Sequence, residues 1–173
     1  DPRRCAGDCH FDADAARKAI LFFHRRLTHV KGSLGGKAFV LSRVEQQIVG
    51  NIFGWKRPDG TRRFREVLIY VPRKWGKTLI ASGIALCAFF EDDEEGAEVY
   101  VAAAARDQAS LLWGAAKSQI LNGEELSARC KIYQHSIVRF GPDGLQDGSF
   151  FRAISSVATT AHGFNPHVVV VDE

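Results

Sequence analysis

The chain lacks the features of several protein classes. No apolar run approaches the length of about 20 residues that is needed to cross a bilayer, and residues 1–5 lack the apolar segment of a secretory signal. The four cysteines, at positions 5, 9, 87 and 130, do not make a disulfide framework in a chain of 173 residues. We therefore expect a cytosolic protein without structural disulfides.

A strong net charge is also missing. The 23 Lys and Arg residues stand against 20 Asp and Glu, and the net charge of +3 is too small to indicate nucleic-acid binding by itself. Acidic residues are concentrated at 91–95, which we interpret as a solvated loop between a helix and a strand. Cys5, Cys9 and His10 suggest a metal site, but no second ligand pair has suitable spacing, so metal binding there is not favoured.

What the chain does contain is the pattern of an α/β domain. Apolar residues at helical spacing predict helices at 12–29, from Ser42 to about 54, at about 77–90 and at 107–121. Apolar runs predict strands, which we place at 66–71, 98–104, 136–140, 150–154 and 168–172. Strands separated by helices predict a mostly parallel sheet with helices on both faces. We divide the chain into an N-terminal helical segment, residues 1–60, and an α/β core, residues 61–173.

The strongest chemical signal is a loop between a predicted strand and a predicted helix. Its sequence is Pro72-Arg73-Lys74-Trp75-Gly76-Lys77-Thr78. A strand, a tight loop that ends in Gly-Lys-Thr and a helix make up the phosphate-binding loop (P-loop) of nucleotide hydrolases. The match is partial, because Val71 stands where the common pattern has its first glycine. The alternative is a basic turn that begins an ordinary helix.

In the P-loop interpretation, these residues bind ATP and Mg²⁺. Lys77 would contact the terminal phosphates, and the Thr78 hydroxyl would coordinate Mg²⁺. The main-chain N–H groups of residues 74–78 would surround the β-phosphate.

A second acidic signal completes the predicted site. Asp172 and Glu173 follow the apolar strand 168–171, and the chain stops there. We predict that Asp172 holds Mg²⁺ through its water shell, and that Glu173 is the catalytic base that orients and deprotonates the attacking water. A P-loop NTPase with such a glutamate is of the ASCE type. A polar strand end beside a loop is the alternative.

Several neighbouring residues have two open interpretations. Arg73 and Lys74 are either exposed loop charges or cations aimed at phosphate, and Trp75 packs against the protein or faces a partner. Gln46 and Gln47 lie on the second helix, where a glutamine could pair with the adenine edge or form part of an exposed face. All of these except the two glutamines belong to the predicted phosphate loop.

Taken in order, these segments resemble the large terminase subunit of tailed bacteriophages, in the branch typified by phage HK97. The resemblance is carried by Phe53-Gly54-Trp55, by residues 59–66, by Tyr70 to Thr78, by residues 98–103 and 106–109, and by Gly163-Phe164-Asn165-Pro166 before Asp172-Glu173. The replacement of the first loop glycine is itself typical of that branch. Trp75 departs from it, because asparagine is usual at this position.

The resemblance implies an ATP-driven motor that packages double-stranded viral DNA into a capsid in the cytoplasm of the infected bacterium. It also implies a homo-oligomeric ring on the portal protein, with a small terminase subunit as a partner. A trans-acting arginine near the second acidic motif has no clear counterpart here, since His162 is the nearest residue and Arg106 and Arg152 are only candidates.

The end of the chain after Asp172-Glu173 leads to a further expectation. The resemblance places the next strand between the P-loop strand and strand 168–172, so we expect a gap or unpaired strand edges here. Our hypothesis is a fragment of a larger protein or a broken prophage gene, which binds ATP weakly and hydrolyses it slowly or not at all. A helicase of the DEAD-like type and a non-catalytic nucleotide-binding remnant are the alternatives.

Overall fold

The computed structural model describes residues 8–103, 106–155 and 165–172, and at 106–109 and 155 it describes the backbone only. Its helices are α1 (Ala13–Arg26), α2 (Arg43–Gly54), α3 (Lys77–Glu91), α4 (Arg106–Leu121), α5 (Glu124–Ala128) and a short 3₁₀ helix (Gly32–Leu34). Its strands are β1 (His10–Phe11), β2 (Trp55–Lys56), β3 (Glu98–Ala103), β4 (Cys130–Ile132), β5 (Ser136–Phe140), β6 (Gln146–Ser155) and β7 (Val168–Val171).

The two N-terminal helices begin at local capping signals. The Asp12 carboxylate accepts hydrogen bonds from the N–H groups of Asp14 and Ala15 at the start of α1, both at 2.9 Å. Ser42 and Glu45 form a reciprocal capping box at the start of α2. Because these signals are local, the four helices predicted from the sequence are confirmed within a few residues.

The central sheet has the strand order β4-β5-β6-β3-β7. Strands β6, β3 and β7 are parallel, whereas β4, β5 and β6 are joined as antiparallel pairs. The predicted mostly parallel sheet is therefore wrong, and the sheet is mixed. The reason is the pair of hairpins at residues 133–135 and 141–145, because a short turn between consecutive strands makes them antiparallel.

The prediction of helices on both faces of the sheet is also wrong for the part of the chain that the structure describes. The buried core joins Val99 and Val101 of β3 and Phe151 of β6 to the helices α3 and α4. The opposite face carries the exposed Arg152 together with Tyr100 and Ala102, which are buried, and the described contacts of α3 and α4 are with the Val99 face. The hairpins explain this difference, since they connect strands without a crossover helix that would cover the second face.

The predicted strand 66–71 is not formed. These residues belong to no strand, and the side chains of Leu68 and Tyr70 are 92% and 95% exposed. Among the described strands, β7 pairs with β3 alone and has a free edge. An extended segment becomes a strand only when a partner accepts its backbone hydrogen bonds, and no described strand pairs with 66–71.

Helices α3 and α4 pack on the covered face of the sheet, whereas α1 packs on α3 and on α2. Phe23 of α1 and Leu27, which follows α1, lie against Gly83 of α3, where a Cβ atom would collide with the Phe23 ring. The hydrophobic core contains residues from both sides of position 60. The predicted boundary between an N-terminal helical segment, residues 1–60, and an α/β core, residues 61–173, stays a prediction. No described helix is long and apolar enough to cross a membrane.

Candidate functional site

The loop at 71–78 has the backbone geometry of a tight turn that leads into a helix. Gly76 is the N-cap of α3 with φ 93° and ψ 18°, in the left-handed region that favours glycine. Lys74 also has a positive φ, 67°, which is uncommon for a residue with a side chain. Helix α3 starts at Lys77, so Lys77 and Thr78 lie in its first turn, where unpaired N–H groups attract anions.

The structure brings three of the predicted site residues together. The Lys77 ammonium lies 3.4 Å from Oδ1 of Asp172, and the Thr78 hydroxyl donates a hydrogen bond to Oδ2 at 3.2 Å. These residues are more than 90 positions apart in the chain. One carboxylate therefore contacts both the lysine and the hydroxyl of the loop.

Backbone pairing holds Asp172 in this position. Its N–H donates to the carbonyl of Ala102 at 2.9 Å, which continues the parallel pairing of β7 with β3. The carboxyl end of β7 and the N-terminus of α3 therefore meet at one edge of the sheet. Ligands commonly bind at the carboxyl ends of parallel strands in α/β proteins.

A network at the opposite end of α3 joins the same elements a second time. Asp92, the C-cap of α3, accepts a hydrogen bond from Arg62 at 2.5 Å, and its carboxylate lies 2.7 Å from Nε2 of His167. His167 directly precedes β7, and Asp172 directly follows it. Asp92 thus ties α3 to the strand that directly precedes Asp172.

This network is a feature that sequence analysis missed. Residues 91–95 were interpreted as a solvated loop, yet Glu91 also forms ion pairs with Lys18 and Arg129, each at 3.3 Å. Asp93 and Glu95 are exposed, so the interpretation fits only part of the run. The partners are 30 to 75 positions away, and no local pattern marks them.

The oxygen groups at the site fit a magnesium ion. Mg²⁺ prefers oxygen ligands and is usually held by one or two protein groups together with phosphates and water. Thr78 and Asp172 supply a hydroxyl and a carboxylate that already touch, and the contact with Lys77 shows that the carboxylate faces a cation. No cluster of three His, Cys, Asp or Glu side chains is found among the described residues, Cys9 and His10 included.

The other loop residues are placed as follows. The Trp75 side chain is partly buried and packs against the hydrophobic core, so it does not face outward. The backbone N–H of Trp75 donates a hydrogen bond to the Pro72 carbonyl at 3.3 Å. Pro72, Arg73 and Lys74 are exposed. The packing of Trp75 fixes one side of the loop and leaves the two cations in solvent.

Gln46 and Gln47 are both exposed on the first turns of α2. The Gln46 side-chain amide donates to the Leu41 carbonyl at 2.8 Å, so its N–H is used near the start of its own helix. The main-chain carbonyl of Gln47 accepts a hydrogen bond from the Asn51 side chain. The adenine contact of either glutamine stays a prediction.

Some predicted residues lie outside the described part of the chain. Glu173 is one of them, as are His162, Gly163 and Phe164 and the side chain of Arg106. Arg152 is described, and it is exposed on β6, where its guanidinium lies 4.2 Å from the centre of the Phe150 ring.

Comparison with known proteins assigns the family. Residues 44–173 match the family described as terminase large subunit, ATPase domain. The chain belongs to this family, as its resemblance to large terminases predicted. No curated protein matches the chain.

The fold is similar to that of solved large terminases. The chain resembles the large terminase of bacteriophage HK97 with a TM-score of 0.74 and 20% identity, over 91% of this chain and 31% of that one. It also matches the large terminase ATPase domain of Thermus phage P74-26, with a TM-score of 0.46 and 20% identity, over 58% of this chain and 45% of that one. The chain therefore spans about a third of the length of the HK97 protein.

Proposed function

We propose that this chain is the ATP-hydrolysing part of a motor that packages double-stranded viral DNA into a capsid. The observation that carries the proposal is the Asp172 carboxylate in contact with both Lys77 and Thr78, in a chain of the terminase ATPase family. A lysine and a hydroxyl in the first turn of a helix, opposite a carboxylate at a strand end, are the groups that bind a nucleoside triphosphate with its metal ion.

Each group has a distinct role in the proposed site. Lys77 binds the terminal phosphates, while the backbone from Pro72 through Gly76 encloses them, with Arg73 and Lys74 adding positive charge. Thr78 and Asp172 hold Mg²⁺, which withdraws charge from the phosphates when it is bound. Nucleotide binding separates Lys77 from Asp172, because the phosphates compete for the ammonium.

Glu173 is the proposed base for hydrolysis. It follows Asp172 directly, so we place it beside the phosphates, where it orients a water molecule and takes its proton. Wherever turnover is measurable, Glu173→Gln should keep nucleotide binding and abolish hydrolysis, because an amide accepts no proton from the water. Unchanged turnover in a single-turnover assay would remove Glu173 from this role.

The remaining parts of the proposal concern the longer protein. We propose a homo-oligomeric ring that works with a portal protein and a small terminase subunit, in the cytoplasm of an infected bacterium. Gln46 or Gln47 is the proposed contact for adenine. The family match favours packaging over the DEAD-like helicase alternative, and capsid-dependent translocation without duplex unwinding would separate the two functions.

The binding step can be tested on this chain directly. We expect a fluorescent ATP analogue to bind in the presence of Mg²⁺, and Lys77→Ala to weaken binding about tenfold or more, since a charge-assisted hydrogen bond contributes about 1.5–3 kcal/mol. Lys117→Ala, which removes an exposed lysine on α4, is the matched control and should bind as the wild type does. Undetectable binding of the analogue by all three proteins would reject the proposal.

A further inference from the structure

The charges of this chain are distributed unevenly, although their sum is small. Residues 1–78 contain 17 Lys and Arg against 7 Asp and Glu, whereas residues 79–173 contain 6 against 13. Between Asp14 and Glu45 the chain has seven Lys and Arg and no carboxylate side chain. A net charge of +3 therefore conceals a strongly basic N-terminal part, in which a local positive potential is expected.

Part of this basic stretch folds into a hairpin between α1 and α2. We call residues 27–39 the basic hairpin. The Phe39 N–H donates a hydrogen bond to the Leu27 carbonyl, and the His29 N–H donates one to the Lys37 carbonyl, both at 2.9 Å. Leu27 and Phe39 are buried, and the Phe39 ring packs against the Phe23 ring of α1. The base of the hairpin is thus anchored in the core.

The tip of the basic hairpin projects into solvent. Every residue from Lys31 to Ala38 is exposed. Gly32 and Gly36 have φ values of 77° and 79°, and no atom lies within 4 Å of the Cβ position of either. Without side chains, these two glycines let another molecule approach the backbone between Lys31 and Lys37.

Two arginines extend the basic surface beside the hairpin. Helices α1 and α2 are antiparallel, because Gly54 at the end of α2 lies near Ala16 at the start of α1. Arg25 in the last turn of α1 and Arg43 in the first turn of α2 are therefore at the hairpin end of the helix pair. A cation in the first turn of a helix is disfavoured by the helix dipole, so Arg43 does not serve the stability of α2.

These four cations lack ion-pair partners among the described residues. Lys18, Arg26 and Arg62 each lie beside a carboxylate. Within residues 8–103, 106–155 and 165–172, no carboxylate lies within ion-pair distance of Arg25, Lys31, Lys37 or Arg43, and all four are exposed. A surface with several uncompensated cations and an open glycine backbone is complementary to a polyanion whose charges are regularly spaced.

We propose that the basic hairpin, together with Arg25 and Arg43, contacts the phosphate backbone of duplex DNA. This inference rests on the proposed function, in which duplex DNA is the substrate that the motor moves. Contacts to phosphate carry no sequence information, which suits a protein that must move along any sequence. Lys31 and Lys37 bind phosphates from the two ends of the tip, and Arg25 and Arg43 extend the contact along the helix pair.

The test is the salt dependence of DNA binding by this chain. Fluorescence anisotropy with a labelled duplex of mixed sequence, measured over a series of NaCl concentrations, gives the number of phosphates that are neutralised. Each phosphate contact contributes about 0.9 to the slope of log K against log salt. Lys31→Ala/Lys37→Ala should therefore lower the slope by about 2 and weaken binding at low salt.

A matched variant separates a local contact from a general charge effect. Lys117→Ala/Lys131→Ala removes two exposed lysines from α4 and β4 and changes the net charge by the same amount. It should leave the slope unchanged. Thermal melting followed by circular dichroism confirms that both double variants are folded.

Three outcomes would overturn the inference. The first is that the wild type does not bind duplex DNA at low salt. The second is an unchanged salt slope in Lys31→Ala/Lys37→Ala, and the third is an equal loss of DNA affinity in both double variants. Nucleotide binding is measured separately with Lys77→Ala. If the wild type binds nucleotide but Lys31→Ala/Lys37→Ala binds DNA with an unchanged salt slope, this inference alone is rejected. If the hairpin variant lowers the slope but the wild type binds no nucleotide, the proposed function alone is rejected.

Discussion

The contact between Lys77 and Asp172 joins two opposite charges that remain partly open to water. The lysine side chain is 33% exposed and the carboxylate 17%. Exposed ion pairs of this kind contribute about 0–1 kcal/mol to stability. Stability alone therefore gives little reason to bring them together, whereas a site for phosphate and a metal ion needs both groups at one place.

This argument predicts the behaviour of Asp172→Asn. The free energy of unfolding should change by less than about 1 kcal/mol, because the lost ion pair is weak. Nucleotide affinity in Mg²⁺ should fall about 10- to 100-fold, the usual cost of losing a group that holds a metal through its water shell. Titration of a fluorescent ATP analogue with Mg²⁺ and with EDTA measures the effect. In EDTA the wild type and the variant should bind the analogue alike. A variant whose affinity rises with Mg²⁺ as much as that of the wild type would exclude Asp172 as a metal-holding group.

A second ion pair makes the free energy of unfolding depend on pH in the acidic range. The Arg139 guanidinium lies 2.6 Å from the Asp147 carboxylate, and both side chains are nearly buried. Burial raises the pKa of Asp147, but the Ser149 N–H and the Arg139 guanidinium together outweigh burial and hold the pKa below its ordinary value of 3.8. A lowered pKa in the folded state stabilises the protein above the unfolded-state pKa, and this contribution is lost as the pH falls through the folded-state pKa.

We therefore expect Asp147→Asn to be less stable than the wild type at neutral pH, by about 3 kcal/mol, since Arg139 loses its nearly buried counter-charge. The difference should narrow as the pH falls below about 4, where the wild-type carboxyl begins to take up protons. Urea unfolding at a series of pH values measures both stabilities. Glu95→Gln removes an exposed carboxylate, and the difference in stability between this variant and the wild type should not change with pH. A constant difference at all pH values would refute the role of Asp147.

At the scale of helices and strands, local signals decided what the sequence could predict. The starts of α1 and α2 are set by Asp12 and Ser42, which lie within a few residues of the N–H groups that they cap, and both helices were predicted. The segment 66–71 has the apolar character of a strand but forms none, because a strand also needs a partner across its edge. The sheet is mixed because the short turns between β4, β5 and β6 make these consecutive strands antiparallel.

The candidate site follows the same division. Lys77, Thr78 and Asp172 were identified from motifs, because the chemistry of a phosphate loop constrains residue types at fixed spacing. The support from Asp92 and His167 was not, because their contact spans 75 positions and depends on how the helix and the sheet pack. The side chains that we propose to bind the nucleotide are marked in the sequence more clearly than the side chains that support them.

The packing of α1 on α3 leaves no space for a side chain at Gly83. Alanine at position 83 would place its Cβ against the Phe23 ring and 3.0 Å from Leu27 Cδ1. Overpacking of this kind costs about 1–3 kcal/mol, against a gain in helix propensity of about 1 kcal/mol. We expect Gly83→Ala to lower the unfolding free energy, as measured by urea denaturation.

The same substitution in the next helix should act in the opposite direction. A Cβ at Gly114 of α4 would meet no atom within 4 Å, so Gly114→Ala should gain about 0.5–1 kcal/mol from helix propensity. Equal effects of the two substitutions would show that helix propensity, and not the contact of α1 with α3, sets the outcome.

At the scale of the whole molecule, the described part of the chain has an open sheet face. Helices α3 and α4 cover one face of the sheet, and the other face carries exposed apolar side chains at Val169 and Val171 of β7. The edge of β7 is also free among the described strands. An apolar face that adjoins an unpaired edge strand favours association between chains, because unpaired N–H and C=O groups can accept another strand.

We therefore expect this chain to self-associate through the open face and the free edge, and Val169→Lys to suppress that association. Val169 is 46% exposed and pairs with Tyr100 in the sheet, so a lysine there adds a charge to the free edge strand without opening the core. Charged residues on edge strands are a common protection against strand pairing. Sedimentation velocity over a range of protein concentrations measures the mass of the particles, and the variant should stay monomeric where the wild type does not. Leu111→Lys adds the same charge at a 60% exposed position on α4 and should associate as the wild type does. If both lysine variants prevent association equally, net charge and not the sheet edge controls it.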